Sequence, residues 1–402
     1  MQWNKLGLAI AVLSTGPVWA QDSTRTDEIE SARAKKEQKL SSPRDPGLER
    51  AIGGIQGSWA YRFLTSTDGL GLGFGEMIPG AGFSTGPRYS KTLLDGRLRL
   101  TGYLRSSTKR YYTGGIQGSL THLWNGHAAL DFSADHFDYP QMPYYGPGSE
   151  SRKTGRSDYR LEKTETQIHP ALRPVKGLTL GLLGGFQAIN VGPGTASEYI
   201  SSDHQYTPAQ APGIEQQTDY LTGGGFVQFD WRDRPGDPTE GGKYRAEYTK
   251  FSDLDAGRYS FYQLNLDASE YIPFFNGKRV IALHGRTSLS DTRNSQQIPF
   301  YMQPTLGGAD DLRGYRPFRF YDDNSVLVQA EYRWEASGVV ELALFADGGN
   351  VFHDWSQWNL RHLETDYGFG IRFKGDTGVH FRLDTGFSHE GFQIWFRVNN
   401  PF

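Results

Sequence analysis

Residues 306–350 read LGGADDLRGYRPFRFYDDNSVLVQAEYRWEASGVVELALFADGGN. A loop rich in Gly, Asp and Arg carries Leu312-Arg313-Gly314-Tyr315, and two alternating segments joined by a tight turn follow it. In the first segment Val326, Val328, Ala330, Tyr332 and Trp334 fall on one face, with Gln329, Glu331 and Arg333 on the other. In the second, Val340, Leu342, Leu344 and Ala346 oppose Glu341, Ala343, Phe345 and Asp347. Successive side chains of a strand point to opposite faces. One face is therefore apolar throughout, while the other carries full charges. That division fits a wall with lipid on one side and water on the other, as in a transmembrane β-barrel.

The same alternation recurs on both sides of this stretch. Sixteen segments carry it, near 52–64, 81–90, 96–105, 112–122, 127–136, 159–169, 177–187, 221–231, 242–250, 258–271, 278–288, 324–334, 338–347, 365–373, 377–387 and 391–398. Most are as long as the roughly 9 to 11 residues that a tilted strand needs to cross a bilayer. An even count returns both chain ends to one side. Short turns such as Leu94-Asp95-Gly96, Trp124-Asn125-Gly126, Asn276-Gly277 and Gly375-Asp376 have hairpin chemistry. They alternate with long connections near 65–80, 137–158, 188–220, 289–323 and 348–364, apart from short outer loops near 106–111, 251–257 and 388–390 and a longer inner turn at 232–241. Short inner turns with longer outer loops are the asymmetry of an outer-membrane barrel.

In the closing strands Tyr367, Phe369, Ile371 and Phe373 oppose Gly368, Gly370 and Arg372, and Val379, Phe381 and Leu383 oppose His380, Arg382 and Asp384. Phe392, Ile394, Phe396 and Val398 oppose Gln393, Trp395 and Arg397. Charges at that density cost several kcal/mol each in a dry core unless paired, and a hydrated interior removes the cost. Phe392, Ile394 and Phe396 with the final Phe402 resemble the C-terminal assembly signal of outer-membrane barrels. The barrel assembly machinery is then an expected partner during insertion.

The bulk numbers agree. The 402 residues carry a formal net charge of −3, which gives no basic field for a nucleic-acid partner. Cys is absent, which excludes disulfides, thiolate metal sites and lipidation at an N-terminal Cys. Residues 1–20 read as a cleaved export signal: Lys5, an apolar run from Leu6 to Leu13, and Val18-Trp19-Ala20 before the cut. That run falls short of the roughly 20 apolar residues of a membrane-spanning helix. Residues 21–50 are polar and mixed in charge, with Pro43, Pro46 and Gly47, and read as a flexible periplasmic tail. Residues 51–402 form the barrel. Its apolar face is expected to meet outer-membrane lipids, in the outer membrane of a Gram-negative bacterium.

Several separate stretches together resemble the BamA/TamA-type outer-membrane assembly superfamily, also called the bacterial surface antigen family. Its Arg-Gly-aromatic element of the sixth outer loop is matched by Arg313, Gly314 and Tyr315, and its acidic residue on the next strand by Glu331. Its aromatic-x-Asp-x-Gly element is matched by Phe345, Asp347 and Gly349. A turn pattern is matched by Asp230, Arg232 and Asp233, with Pro238 and Gly241 following. Tyr145-Gly146-Pro147-Gly148 and Asp158-Tyr159 look similar, less specifically. The resemblance implies that the sixth loop folds inward and that Arg313 meets Asp347 and Phe345, with Glu331 nearby. It also implies a short, barrel-only member, because no periplasmic polypeptide-transport-associated or lipase-like segment precedes the strands.

Catalytic chemistry finds little support. Gly82-Phe83-Ser84-Thr85-Gly86 matches G-x-S-x-G, but Pro87 and a strand-like run follow where a nucleophile elbow needs a helix. The ten His show no metal-protease spacing, and His353, His362 and His389 read as hydrated loop residues. Gly69 to Gly75 lacks G-x-G-x-x-G spacing and reads as a flexible loop. Asp310-Asp311 and Asp322-Asp323-Asn324 read as loop charge in preference to a cation site. The expectation is an all-β, sixteen-stranded antiparallel transmembrane barrel with an inward-folded sixth outer loop. It has no catalytic residues, metal or cofactor, and serves outer-membrane biogenesis or the transport or insertion of protein or lipid. The alternatives are a passive porin-like channel and a structural surface antigen.

Overall fold

Strands that alternate so regularly and are joined by such short turns pair with their chain neighbours, and they do so here. The computed structural model describes residues 68–397 and 402, apart from 76, 276, 294, 361, 376 and 377. The expected export signal (1–20), tail (21–50) and first strand (52–64) lie outside those residues. Sixteen strands form one antiparallel sheet in chain order. They are β1 (Gly69–Gly75), β2 (Ser84–Leu93), β3 (Leu98–Ser107), β4 (Tyr112–Leu123), β5 (Ala128–Tyr144), β6 (Ser157–Leu172), β7 (Leu178–Pro193) and β8 (Tyr220–Asp230). The rest are β9 (Gly241–Asp253), β10 (Phe261–Phe274), β11 (Arg279–Thr292), β14 (Asn324–Ser337), β15 (Val340–Phe352), β16 (Glu364–Gly375), β17 (Gly378–Ser388) and β18 (Gly391–Arg397). A separate two-stranded ribbon, β12 (Thr305–Leu306) and β13 (Phe320–Tyr321), lies within the long connection before β14. At the β4–β5 turn Trp124 and Asn125 both take positive φ (47 and 57), matching the turn's twist to that of its strands.

Burial inverts the usual rule for sheets. On β14, Gln329, Glu331 and Arg333 are buried while Val328 and Trp334 are exposed; on β15, Glu341, Phe345 and Asp347 are buried while Leu344 is exposed. Phe369, Phe381, Phe392, Ile394 and Phe396 are likewise exposed, and Arg372, Arg382 and Asp384 fully buried. The apolar face is thus the exposed one, and over β14–β18 connections from the long-loop end cover the polar face. Among the described residues no helix is long and apolar enough to cross a membrane.

Two sequence expectations need correction. Gly69 to Gly75, read as a flexible loop, is β1, in register with β2 from Gly69↔Ser90 to Gly75↔Ser84. Glycine weakens a strand without forbidding it, and the interleaved Leu70 and Leu72 supply exposed apolar side chains. Residues 137–144, assigned to a loop, extend β5 to 17 residues. The ladder absorbs Pro140 through an irregularity between Tyr139 and Met142, the kind of place where a sheet tolerates proline.

The long connections 145–156, 194–219 and 293–323 share a core. Tyr144 lies 4.9 Å from the rings of both Tyr206 and Phe300 and 5.0 Å from Tyr321, and Tyr159 lies 4.8 Å from Phe300. The Tyr321 hydroxyl donates to the Pro143 carbonyl at 2.8 Å.

Candidate functional site

The connection between β11 and β14 runs over the polar face of β14–β18 and leaves Arg313 with no exposed surface. Arg313 Nε and Nη2 donate to the two Asp347 oxygens at 2.8 and 2.7 Å, and Nη1 donates to Glu331 at 2.7 Å. Its guanidinium carbon lies over the Phe345 ring, 3.4 Å from the ring centre. A planar, five-donor cation can do all this at once; an ammonium cannot. Burial opposes the charge of Arg313, but Asp347 and Glu331 outweigh it and hold the group well above the ordinary arginine range. The sheet register shows why a cation is needed here. Asp347 stands directly opposite Asp366, and both are buried, an arrangement that repels while both are ionised, and Arg313 binds the Asp347 half of it.

Arg313 is one member of a larger network. Arg372 donates to Glu331 at 2.8 Å and to Asp384 at 3.1 Å, and Arg333 donates to the other Glu331 oxygen at 2.9 Å. Arg382 donates to Asp310 and to the Ala309 carbonyl, and Arg397 reaches Asp310 at 2.6 Å. Five arginines (313, 333, 372, 382, 397) thus meet four carboxylates (Asp310, Glu331, Asp347, Asp384). Nearby, Arg286 donates to Asp311 at 2.7 Å. Burial still holds the Asp311 carboxyl above its usual range, with Arg286 partly offsetting it.

Gly314 is dictated by proximity. A Cβ there would lie 2.5 Å from Asp366 Cβ and 2.9 Å from the Phe387 carbonyl carbon, while one on Gly386 would lie 2.5 Å from the Arg313 carbonyl. Loop backbone therefore lies on strand backbone, and Ser388 and Trp395 bind it there by donating to the Gly314 and Arg313 carbonyls at 2.9 and 2.7 Å. Tyr315 donates to Glu364 at 2.8 Å and lies 3.1 Å from His389 Nδ1, so that histidine contacts the loop. Burial first, and Glu364 second, push the Tyr315 hydroxyl up from its usual range. At Gly349 an added Cβ would meet Leu306 at 2.9 Å, so the bare backbone there makes room for the loop's apolar side chains.

The turn residues form a second, separate group. Arg232 Nε and Nη2 bind Asp230 at 3.0 and 2.8 Å. Asp233 accepts from the Thr239 amide and hydroxyl at 2.9 and 2.7 Å, with Pro238 just before. Gly241 takes φ +91, open to glycine at little cost. The turn does more than close on itself: Lys374 of β16 reaches Asp237 at 2.6 Å and Glu341 at 3.2 Å. Phe402, grouped in the sequence with Phe392, Ile394 and Phe396, parts from them. Those three are exposed on the apolar face. Phe402 instead stacks on His284 at 4.9 Å and lies 5.6 Å from the Arg333 guanidinium, beside Tyr271. Ser84 opens strand β2, with no helix behind it.

Sequence reasoning singled out Arg313, Glu331, Phe345 and Asp347, which the structure brings together. It missed Asp310, Asp366, Arg372, Arg382, Asp384 and Arg397 as partners, although alternation had already placed Arg372, Arg382, Asp384 and Arg397 on the charged face.

Comparison with known proteins follows the same outline. Residues 196–390 match the Omp85 superfamily domain. BamA from Haemophilus ducreyi lacking POTRA domains 1–3 superposes with a TM-score of 0.59 at 14% identity, over 82% of this chain and 69% of that one. CdiB from Escherichia coli gives 0.53 at 14% identity, over 81% of this chain and 61% of that one, so the chain spans less than two thirds of its length. No curated protein matches the sequence.

Proposed function

Taking residues 196–390 as an Omp85 superfamily domain, we propose that this chain is an outer-membrane β-barrel serving membrane biogenesis, by transporting or inserting protein or lipid. The Omp85-family relatives BamA and CdiB are non-enzymatic transport and insertion proteins. In this reading the sheet closes on itself, the apolar face meets lipid, and the loop carrying Arg313 is an internal plug. The chain reaches a Gram-negative outer membrane through a cleaved signal over 1–20. Phe392, Ile394, Phe396 and Phe402 address it to the assembly machinery, and Asp230, Arg232, Asp233, Pro238 and Gly241 set the turn at the inner end.

One observation carries the proposal: an arginine from a loop, fully buried, is bound at both ends of its guanidinium by carboxylates of the sheet's polar face. Closure follows from physics, since an open sheet edge in lipid leaves backbone groups unpaired. The seam would lie between β1 and β18, the shortest strands of the sheet at seven residues each. A porin-like channel fits less well, because both the loop at 307–319 and the aromatic core of the outer connections sit over the polar face.

The test is barrel insertion into liposomes with and without the purified protein, alongside planar-bilayer recording. Faster insertion of a client barrel with brief or no openings supports the proposal. No acceleration together with large, steady conductance replaces it with the channel reading.

A further inference from the structure

Several acidic side chains of the connections at the long-loop end have a cation against them. Arg397 binds Asp310 at 2.6 Å, Arg286 binds Asp311 at 2.7 Å and Arg319 binds Glu390 at 2.8 Å. Asp322 and Asp323, just ahead of β14, differ. Among the described residues no lysine or arginine pairs with either, and their one basic partner is His353, from the connection after β15. Asp322 is the telling member. Its side chain is only 9% exposed, yet the hydrogen bond its carboxylate accepts comes from the adjacent Asp323 amide at 2.9 Å. A carboxylate buried to that degree without a counter-charge is costly.

The geometry around the pair is that of a ligand set. Gln303 donates to Asp323 Oδ1 at 2.8 Å and leaves Oδ2 facing His353 Nδ1, also at 2.8 Å. His353 Nδ1 lies 3.7 Å from Asp322 Oδ1, and one donor atom from each residue falls within 4.8 Å of the others. Asn324 holds the His353 carbonyl at 2.9 Å, which fixes that backbone next to the acids. The outer side of the imidazole is open to solvent, so water can complete a coordination shell.

We propose that Asp322, Asp323 and His353 bind a divalent transition-metal ion, Zn²⁺ or Mn²⁺. Two carboxylate oxygens and one imidazole nitrogen suit those ions; Ca²⁺ and Mg²⁺ favour all-oxygen sets. The ion neutralises both acids and staples the connection before β14 to the one after β15. The connection that carries Arg313 then gains one further anchor. The site stands whether or not the protein transports anything.

The test uses the full chain, tag-free, folded in detergent and dialysed against chelator. Zn²⁺, Mn²⁺, Mg²⁺ and Ca²⁺ are titrated singly by calorimetry, with heat-shifted gel mobility as the check on folding. The expected result is one equivalent of Zn²⁺ or Mn²⁺ bound, with nitrogen in the metal's first shell by X-ray absorption. His353→Ala and Asp322→Asn should each weaken binding by at least about tenfold, the smallest loss seen even for supporting partners of a metal ligand. A His362→Ala control should leave it unchanged. Folded protein that binds neither ion, or variants that bind as tightly as the parent, would overturn the site and leave a plain His–Asp pair.

Discussion

The polar face of this sheet is covered in two different ways. Over β14–β18 the cover is a loop locked by paired charges, with five arginines meeting four carboxylates and Gly314 laid on Gly386. Around Tyr144, Tyr159, Phe300 and Tyr321 it is a cluster of aromatic rings. Charges are demanding: each buried group is costly unless every partner is in place, so the arrangement specifies a single seat. Aromatic packing is forgiving, because rings of similar size refill the same space. The first cover is therefore built to hold one position and the second to exclude water.

That contrast can be broken or sharpened by substitution, with folding in detergent followed by urea titration. Arg313→Ala leaves buried Asp347 without its cation, removes one of the three arginines on Glu331, and should cost about 3–5 kcal/mol. Arg313→Lys should recover less than half of that, since an ammonium cannot bridge both acids. An Arg313→Ala chain as stable as the parent would break the contrast outright. Lys374→Met strands Asp237 and Glu341 and should cost about 1.5–3 kcal/mol, the range of charge-assisted hydrogen bonds. A loss equal to that of Arg313→Ala would give the turn at 230–241 the same rank as the loop that carries Arg313. Phe300→Leu in the aromatic cover should cost less than about 1.5 kcal/mol; a larger loss would show that the rings, too, admit only one packing. Arg160→Ala removes a half-exposed pair with Asp138. After allowance for solvent screening it should change stability by under about 1 kcal/mol, which sets the floor of the series.

Much of this was legible in the residues. Fifteen of the sixteen expected segments overlap strands of the sheet, because period-two alternation is local and survives without knowledge of partners. Which face is apolar could be read for the same reason. The run at Gly69 to Gly75 hid a strand because glycine supplies no side chain to alternate. Residues 137–144 hid one because proline signals a break that a ladder irregularity here absorbs. Arg313, Glu331, Phe345 and Asp347 were found through resemblance to a motif; nothing in their spacing alone says that they touch.

What the chain order alone determined was the strand pattern and the sign of each face, since both depend only on neighbours in sequence. Tertiary structure decided the pairings between distant residues: Arg372 with Glu331, Arg382 and Arg397 with Asp310, Lys374 with Asp237, His353 with Asp323, and Phe402 on the polar face. Those contacts depend on ladder register and on how far each loop reaches across the sheet. Neither quantity has a local signature, because side-chain direction repeats every two residues whatever stands opposite.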